Sequence, residues 1–291
     1  MIANHERNVV ASKLKLMYIT NDDDVAIVAE KAGIDRIWID LETIGKEERQ
    51  KKLDTVKSHH TVDDIRRIAP LLSKSDMLVR VDMWNEGSVS QIDQVIEVGA
   101  QTVMLPYWKT PDEVKKFISS VNGRVKTMLL LETKEAVDCL DEILEIDGVD
   151  EIHIGLNDLH LSYGLDFMFE LYTNGVVEDV VGKIRDKHIP FGIGGIGRFD
   201  AGLLPRPEDV IVEQHRLGSS GVILSRSFCD YKKIVNINLI EEILISGVSR
   251  IREIERECEK LSNDMLIDNK HRLDEDTMTA VNKIRKIKSY Q

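Results

Sequence analysis

Two carboxylates and an arginine stand where apolar runs of the sequence stop. Glu132 closes VKTMLLLE (125–132), Asp158 follows VDEIHIG (149–155) within IGLNDLHLSYG, and Arg80 interrupts MLVRVDM (77–83). A charge at the end of a buried strand is costly unless it is paired or holds a metal. A metal bound by Glu132 and Asp158 would satisfy both acids. Arg80 would then be free to hold an anionic substrate, because its planar fork matches a carboxylate. Each residue also has an ordinary reading: Glu132 as an acid favoured by the dipole of the next helix, Asp158 as a turn or cap residue, Arg80 as half of a structural ion pair. The same strand ends offer Glu42, Trp84, Pro106, Asn157, Arg198 and Arg226. His160, inside a Leu-His-Leu run, reads as packing.

These groups do chemistry together only if the strands converge. The chain reads as strand then helix eight times between residues 14 and 262. The strands fall at 14–20, 36–42, 77–83, 102–108, 125–132, 149–155, 190–197 and 220–227. The helices fall at 22–33, 61–72, 89–99, 110–121, 134–146, 176–187, 207–218 and 236–262, with one more at 273–288. Near-continuous apolar strands suit a parallel sheet covered by helices, and eight such units favour a (β/α)8 TIM barrel over an open sheet. The reading is therefore one α/β domain over 1–291, with a barrel core at about 14–235 and extra C-terminal helices at about 236–291. That extension is expected to pack on a neighbouring subunit or to close the barrel bottom. In such barrels function lies at the C-terminal strand ends, so the long polar loop 43–60 after strand 2 falls on the functional face.

Composition narrows the classes. A chain of 291 residues with a net charge of −12 is a poor partner for phosphate backbones, so nucleic acid is not expected. No apolar run approaches the roughly 20 residues of a membrane span, so no membrane partner is expected. The start, MIANHERNVV, lacks a signal peptide's charged n-region and apolar core, and the three scattered cysteines suit reduced thiols in a cytoplasm. Cys139 falls in an amphipathic helix pattern and reads as packing. Gly192 to Gly197 match G-x-G-x-x-G, but loop sequence follows where a dinucleotide site needs a helix. Those glycines are expected to allow close backbone approach at the rim, where a phosphate or carboxylate could lie.

Three stretches resemble the HpcH/HpaI aldolase and citrate lyase beta-subunit family. GIDRIWIDLE (33–42) is similar to the family's second strand, which ends Asp-x-Glu. VRVDMWNEGSVSQIDQVIEVGAQTVMLPYWKTPDEV (79–114) is similar to its Arg…Trp-Asn…VGAQ block. LLLETKEAVDCLDEILEIDGVDEIHIGLNDLHLSYG (129–164) joins Glu132 and Asp158 at the family's spacing. The resemblance covers roughly residues 14–230. It implies a TIM barrel whose last helix is exchanged within a homo-oligomer. It places Glu132 and Asp158 on the carboxylates that bind Mg2+ or Mn2+, and Arg80 on the arginine that stabilises a pyruvate enolate. Glu42 and Asn157 then stand as substrate-binding residues.

The implied activity is that of a metal-dependent carbon–carbon lyase, an aldolase acting on a 2-oxo acid. Two positions depart from the pattern. Thr43 stands where the aldolase branch has a histidine, and Leu130 where the family has a glutamine. Loop 43–60 offers a substitute for the histidine, with His60 as the catalytic candidate and His59 beside it. The departures keep open an acyl-CoA thioester lyase of the citrate lyase type, and a weakly catalytic barrel that binds an anionic sugar acid.

Overall fold

The computed structural model describes residues 13–45 and 59–289. The start of the chain and most of the loop 43–60 therefore lie outside the described residues. Eight strands run in order: β1 (Lys15–Ile19), β2 (Arg36–Asp40), β3 (Asp76–Arg80), β4 (Thr102–Leu105), β5 (Lys126–Leu131), β6 (Glu151–Ile154), β7 (Phe191–Ile196) and β8 (Gly221–Leu224). Each pairs in parallel with the next, and β8 returns to β1 to close the barrel. This is the (β/α)8 architecture with C-terminal helices that the apolar runs predict.

Side-chain caps set where several of the helices begin. Asp22 accepts from Val25 N to start α1 (Asp23–Ala32). Thr61 and Thr110 form capping boxes with Asp64 and Glu113 to start α2 (Val62–Ile68) and α4 (Pro111–Val121), which flank α3 (Ser88–Glu97). The helix expected over 134–146 breaks at Cys139, giving α5 (Lys134–Asp138) and α6 (Leu140–Ile143). The Leu-His-Leu segment forms a short helix, α7 (Leu156–Ser162), because Leu156, Leu159 and His160 are buried at helical spacing. It is followed by α8 (Glu170–Thr173), α9 (Val176–Asp186) and α10 (Pro207–Leu217).

The C-terminal extension begins as the eighth barrel helix, α11 (Ile237–Cys258), packed on α1 and α10. Its lower end grips the start of β1: Leu14 N donates to Glu255 Oε1 at 2.6 Å and Arg252 Nη1 to Leu14 O at 2.8 Å. The last helix, α12 (Asn263–Lys288), starts well before the expected 273, since Ser262 caps it at Met265 N and a buried stripe runs through Leu266, Leu273 and Val281. It lies along the side of its own barrel, on α10 and α8, with Asn269 Nδ2 donating to Asp209 O at 2.9 Å. Among the described residues no helix is long and apolar enough to cross a membrane. The three cysteines are free.

The barrel interior is layered. At the floor, Arg36 is 1 % exposed and makes a two-pronged pair with Glu151, Nη1 to Oε2 at 2.7 Å and Nη2 to Oε1 at 2.6 Å. Lys15 Nζ adds a third bond to Glu151 at 3.3 Å. Above lies an apolar layer of Met17, Trp38, Leu78, Met104, Met128 and Leu130, separate from the larger core between strands and helices. His153 shares this dry interior, and burial pushes its pKa down to about 4, so it is neutral; its Nε2–H donates to Gly194 O at 3.2 Å. Gly194 has φ +46, and a Cβ there would stand 2.6 Å from Leu156 Cδ1, so the bare backbone makes room for the Leu156 side chain.

Burial alone would raise the Glu151 carboxyl, but Arg36 and then Lys15 hold it below its ordinary value. Glu151→Gln should therefore destabilise the fold by about 3–5 kcal/mol in urea unfolding, because it strands a buried guanidinium. The native contribution is complete above about pH 4.5 and is lost as the pH falls through the lowered folded value, so the difference between variant and native should shrink in acid.

Candidate active site

Parallel register places Asp40 of β2 directly beside Arg80 of β3 at the C-terminal mouth of the barrel. Arg80 Nε donates to Asp40 Oδ1 and Nη2 to Oδ2, both at 2.9 Å, and Nη2 lies 3.2 Å from Glu42 Oε2. The guanidinium also sits 5.1 Å above the Trp38 ring. Burial opposes its charge, yet Asp40, Glu42 and Glu132 hold its pKa well above the ordinary value. Arg80 is thus committed to protein carboxylates, where the sequence suggested a cation free for substrate. It is still part of the cavity wall.

Asp40 is the site residue that sequence reading passed over. The signal was there: Arg36, Trp38, Asp40 and Glu42 alternate along one face of β2. His60 serves the same strand. β2 runs past the end of β1, which leaves the Asp40 N–H without a ladder partner, and that N–H donates to His60 Nδ1 at 3.0 Å. His60 is buried and is not among the residues lining the cavity. Thr43 is held by Asp82, whose Oδ1 accepts from Thr43 N at 2.6 Å, Thr43 Oγ1 at 3.1 Å and Ile44 N at 2.9 Å. Asp82 also escaped notice in the sequence, since nothing in VRVDM marks it as a loop anchor.

Glu132 follows β5 and is 3 % exposed. Its Oε1 accepts from Tyr107 N at 3.0 Å, for which Tyr107 adopts a left-handed backbone at φ 51. Such a conformation costs a non-glycine residue roughly 1–2 kcal/mol, and strain of this kind gathers at functional sites. Gly155 keeps the end of β6 close to this acid: a Cβ there would lie 3.1 Å from Glu132 Cβ and 3.2 Å from Glu132 Oε2. Asp158, in the first turn of α7, is half-buried, and among the described residues its carboxylate makes no hydrogen bond or ion pair. His160 packs as expected, with Nδ1 3.2 Å from Leu156 O.

Arg80, Glu132, Asn157 and Asp158 line one cavity of about 470 Å3, within the range of small-molecule sites. Arg226 lines it too, whereas Arg198 pairs with Asp200 and Trp84 packs against the outer core. Glu42 lies behind the wall on Arg80. Counting Asp40 and Glu42, four carboxylates face two guanidinium groups, an excess of negative charge that favours a bound cation. Among the described residues the lining offers oxygen donors and no histidine or cysteine, which is the donor chemistry of Mg2+ or Mn2+. Among the described residues no group of three or more His, Cys, Asp or Glu is gathered for a metal, so two carboxylates would leave places for water and substrate oxygens, as Mg2+ commonly does.

The chain is similar to known proteins in sequence and in fold. The family profile HpcH/HpaI aldolase/citrate lyase matches residues 15–168. A 2-keto-3-deoxy-L-rhamnonate aldolase of Shigella dysenteriae is 30% identical over 132 residues, covering 35% of this chain and 49% of the relative. A hydroxypyruvate/pyruvate aldolase of Roseovarius nubinhibens is 25% identical over 166 residues, covering 45% of this chain and 63% of that protein. The chain thus spans about half the length of the first of these curated relatives. A solved HpcH/HpaI aldolase/citrate lyase family protein from Burkholderia cenocepacia superposes with a TM-score of 0.59 at 18% identity, covering 84% of this chain and 95% of that one.

Calorimetric titration with Mn2+ checks the donor set. Glu132→Ala should abolish binding. Gly155→Ala, which crowds the Glu132 carboxylate, should weaken it by roughly 10–100-fold, the usual effect of disturbing a ligand's support.

Proposed function

The chain belongs to the HpcH/HpaI aldolase/citrate lyase family, and on that premise we propose that it is a divalent-metal-dependent carbon–carbon lyase acting on a 2-oxo acid. The observation that carries this reading is the meeting of Arg80, Glu132 and Asp158 in one cavity at the barrel mouth. Bound through Glu132 and Asp158, Mg2+ or Mn2+ would supply a Lewis acid for the keto and carboxylate oxygens of the substrate. The protein's own part is electrostatic. Arg80 presents a permanent positive charge, oriented beforehand by Asp40 and Glu42, to the oxygen on which enolate charge grows. Because the guanidinium is already fixed, little reorganisation is needed when that charge appears. The apolar layer of Trp38 and Leu130 beneath keeps water from the enolate and strengthens the interaction. Asn157 at the rim contributes a neutral amide for substrate oxygens.

Cleavage moves the electrons of the C3–C4 bond into the enolate while the C4 hydroxyl gives its proton to water and becomes an aldehyde. The enolate then takes a proton at C3. His60 acts on this step at one remove: by accepting from the Asp40 N–H it fixes the carboxylate that aims Arg80. It is a positioning residue in this scheme, not the base.

Deuterium uptake into the methyl group of pyruvate tests the reading without any aldehyde. Exchange should require added Mg2+ or Mn2+, stop with a chelator, and fall at least 100-fold in Glu132→Ala and Arg80→Ala, since one preorganised donor is worth about that much. Metal bound with no exchange of any 2-oxo acid would overturn it. For His60→Ala, the exchange rate should fall while Mn2+ affinity and the shape of the pH–rate profile stay unchanged; a lost limb of that profile would make His60 the base after all.

A further inference from the structure

The cavity has two unlike halves. Arg80 and Glu132 come from the ends of β3 and β5, whereas much of the remaining wall comes from the loops after β6 and β7. Its apolar face is made of Phe167 and Phe169 after β6, Leu204 and Pro205 after β7, and Pro207 and Val210 at the start of α10, while Ser225, Arg226 and Ser227 line the cavity after β8. It is a built surface. The Phe167 and Phe169 rings stand 5.3 Å apart, and Phe169 stacks on the buried Tyr172 at 6.1 Å. Pro205, Pro207 and Val210 are buried. The serine hydroxyls of the lining, on Ser225 and Ser227, lie 2.8 Å apart and hydrogen-bond to each other.

We propose that the second substrate, the electrophile joined to or released from the 2-oxo acid, is an apolar aldehyde; this rests on the lyase reading above. The aldehyde's carbonyl carbon must lie near the enolate held by Arg80, so its substituent extends into the wall of phenylalanine, leucine, proline and valine. An aliphatic or aromatic group gains there roughly fourfold in affinity for each methylene buried. A chain of hydroxyls laid on that apolar face would leave water for side chains that offer no hydrogen bond, and each unpaired hydroxyl would lose about tenfold or more. In the synthetic direction the enolate C3 attacks the aldehyde carbon, the C=O π pair moves to oxygen, and that oxygen takes a proton from solvent. The product is a 4-hydroxy-2-oxo acid with an apolar group on C4.

The test is aldol addition of pyruvate to propanal, butanal, pentanal and hexanal, and to glyceraldehyde and erythrose, with the methyl exchange of pyruvate followed in parallel. kcat/KM should climb along the aliphatic series, and hexanal should exceed erythrose at least tenfold. In Phe167→Asn the hexanal-to-erythrose ratio should fall, and that ratio does not depend on how much of the variant folds. A flat aliphatic series, or a preference for the hydroxylated aldehydes with exchange intact, would overturn the proposal and leave the lyase reading standing. Cleavage of a short-chain acyl-CoA thioester with no aldehyde addition would also overturn it. Loss of exchange itself would remove both.

Discussion

The two-pronged bond between Asp40 and Arg80 ties adjacent strands together where the barrel stops being apolar. A guanidinium over Trp38 is tolerable only because a carboxylate of matched geometry shares its burial. Once the pair exists, other features follow from keeping it in place. β2 must extend past β1 to bring Asp40 level with Arg80, and the backbone N–H exposed by that extension needs His60. The chain just beyond is pinned by Asp82, so Glu42 stays within reach of the same arginine. Glu132 completes the ring of acids across the mouth, its position set by a left-handed Tyr107 on one side and the bare backbone of Gly155 on the other.

Beneath the mouth the interior changes character twice. The apolar layer around Met104 and Met128 separates it from a floor where Arg36 and Lys15 are balanced by Glu151 and Asp76. Two charged strata divided by a dry one are a sound way to build a closed barrel whose top must be polar. Neither stratum has to compensate the other, and the low polarity between them raises the effective strength of interactions in both. His153 belongs to the dry layer and has surrendered its charge to it, keeping only the bond that shapes the irregular stretch of β7.

Much of this was legible in the residues because it rests on local rules. Eight apolar runs broken by capped helices announce the barrel, and acids at the ends of such runs mark Glu132 and Asp158. What escaped depends on register or on packing between distant segments. Whether Asp40 meets Arg80 is decided by which residues of β2 and β3 lie abreast, and no spacing within one strand reveals it. The bond that Asp40 N gives His60 turns on one strand being longer than its neighbour, which no spacing within the loop reveals. The early start of α12 is written in a single serine cap and a thin buried stripe, which the charged surface of that helix obscures. The short helix α7 was hidden by its polar start, although its apolar residues carry the helical interval.

The cavity draws its charged groups from strands and its greasy wall from loops, and these two sources differ in how freely they tolerate change. A strand residue is bound by two neighbours and two packing faces, so rewriting it disturbs the whole ring. The segments carrying Phe167 and Leu204 answer to far fewer neighbours. Descendants of this barrel could therefore acquire a new appetite by drift in two surface connections while the ring of charges at the mouth went untouched.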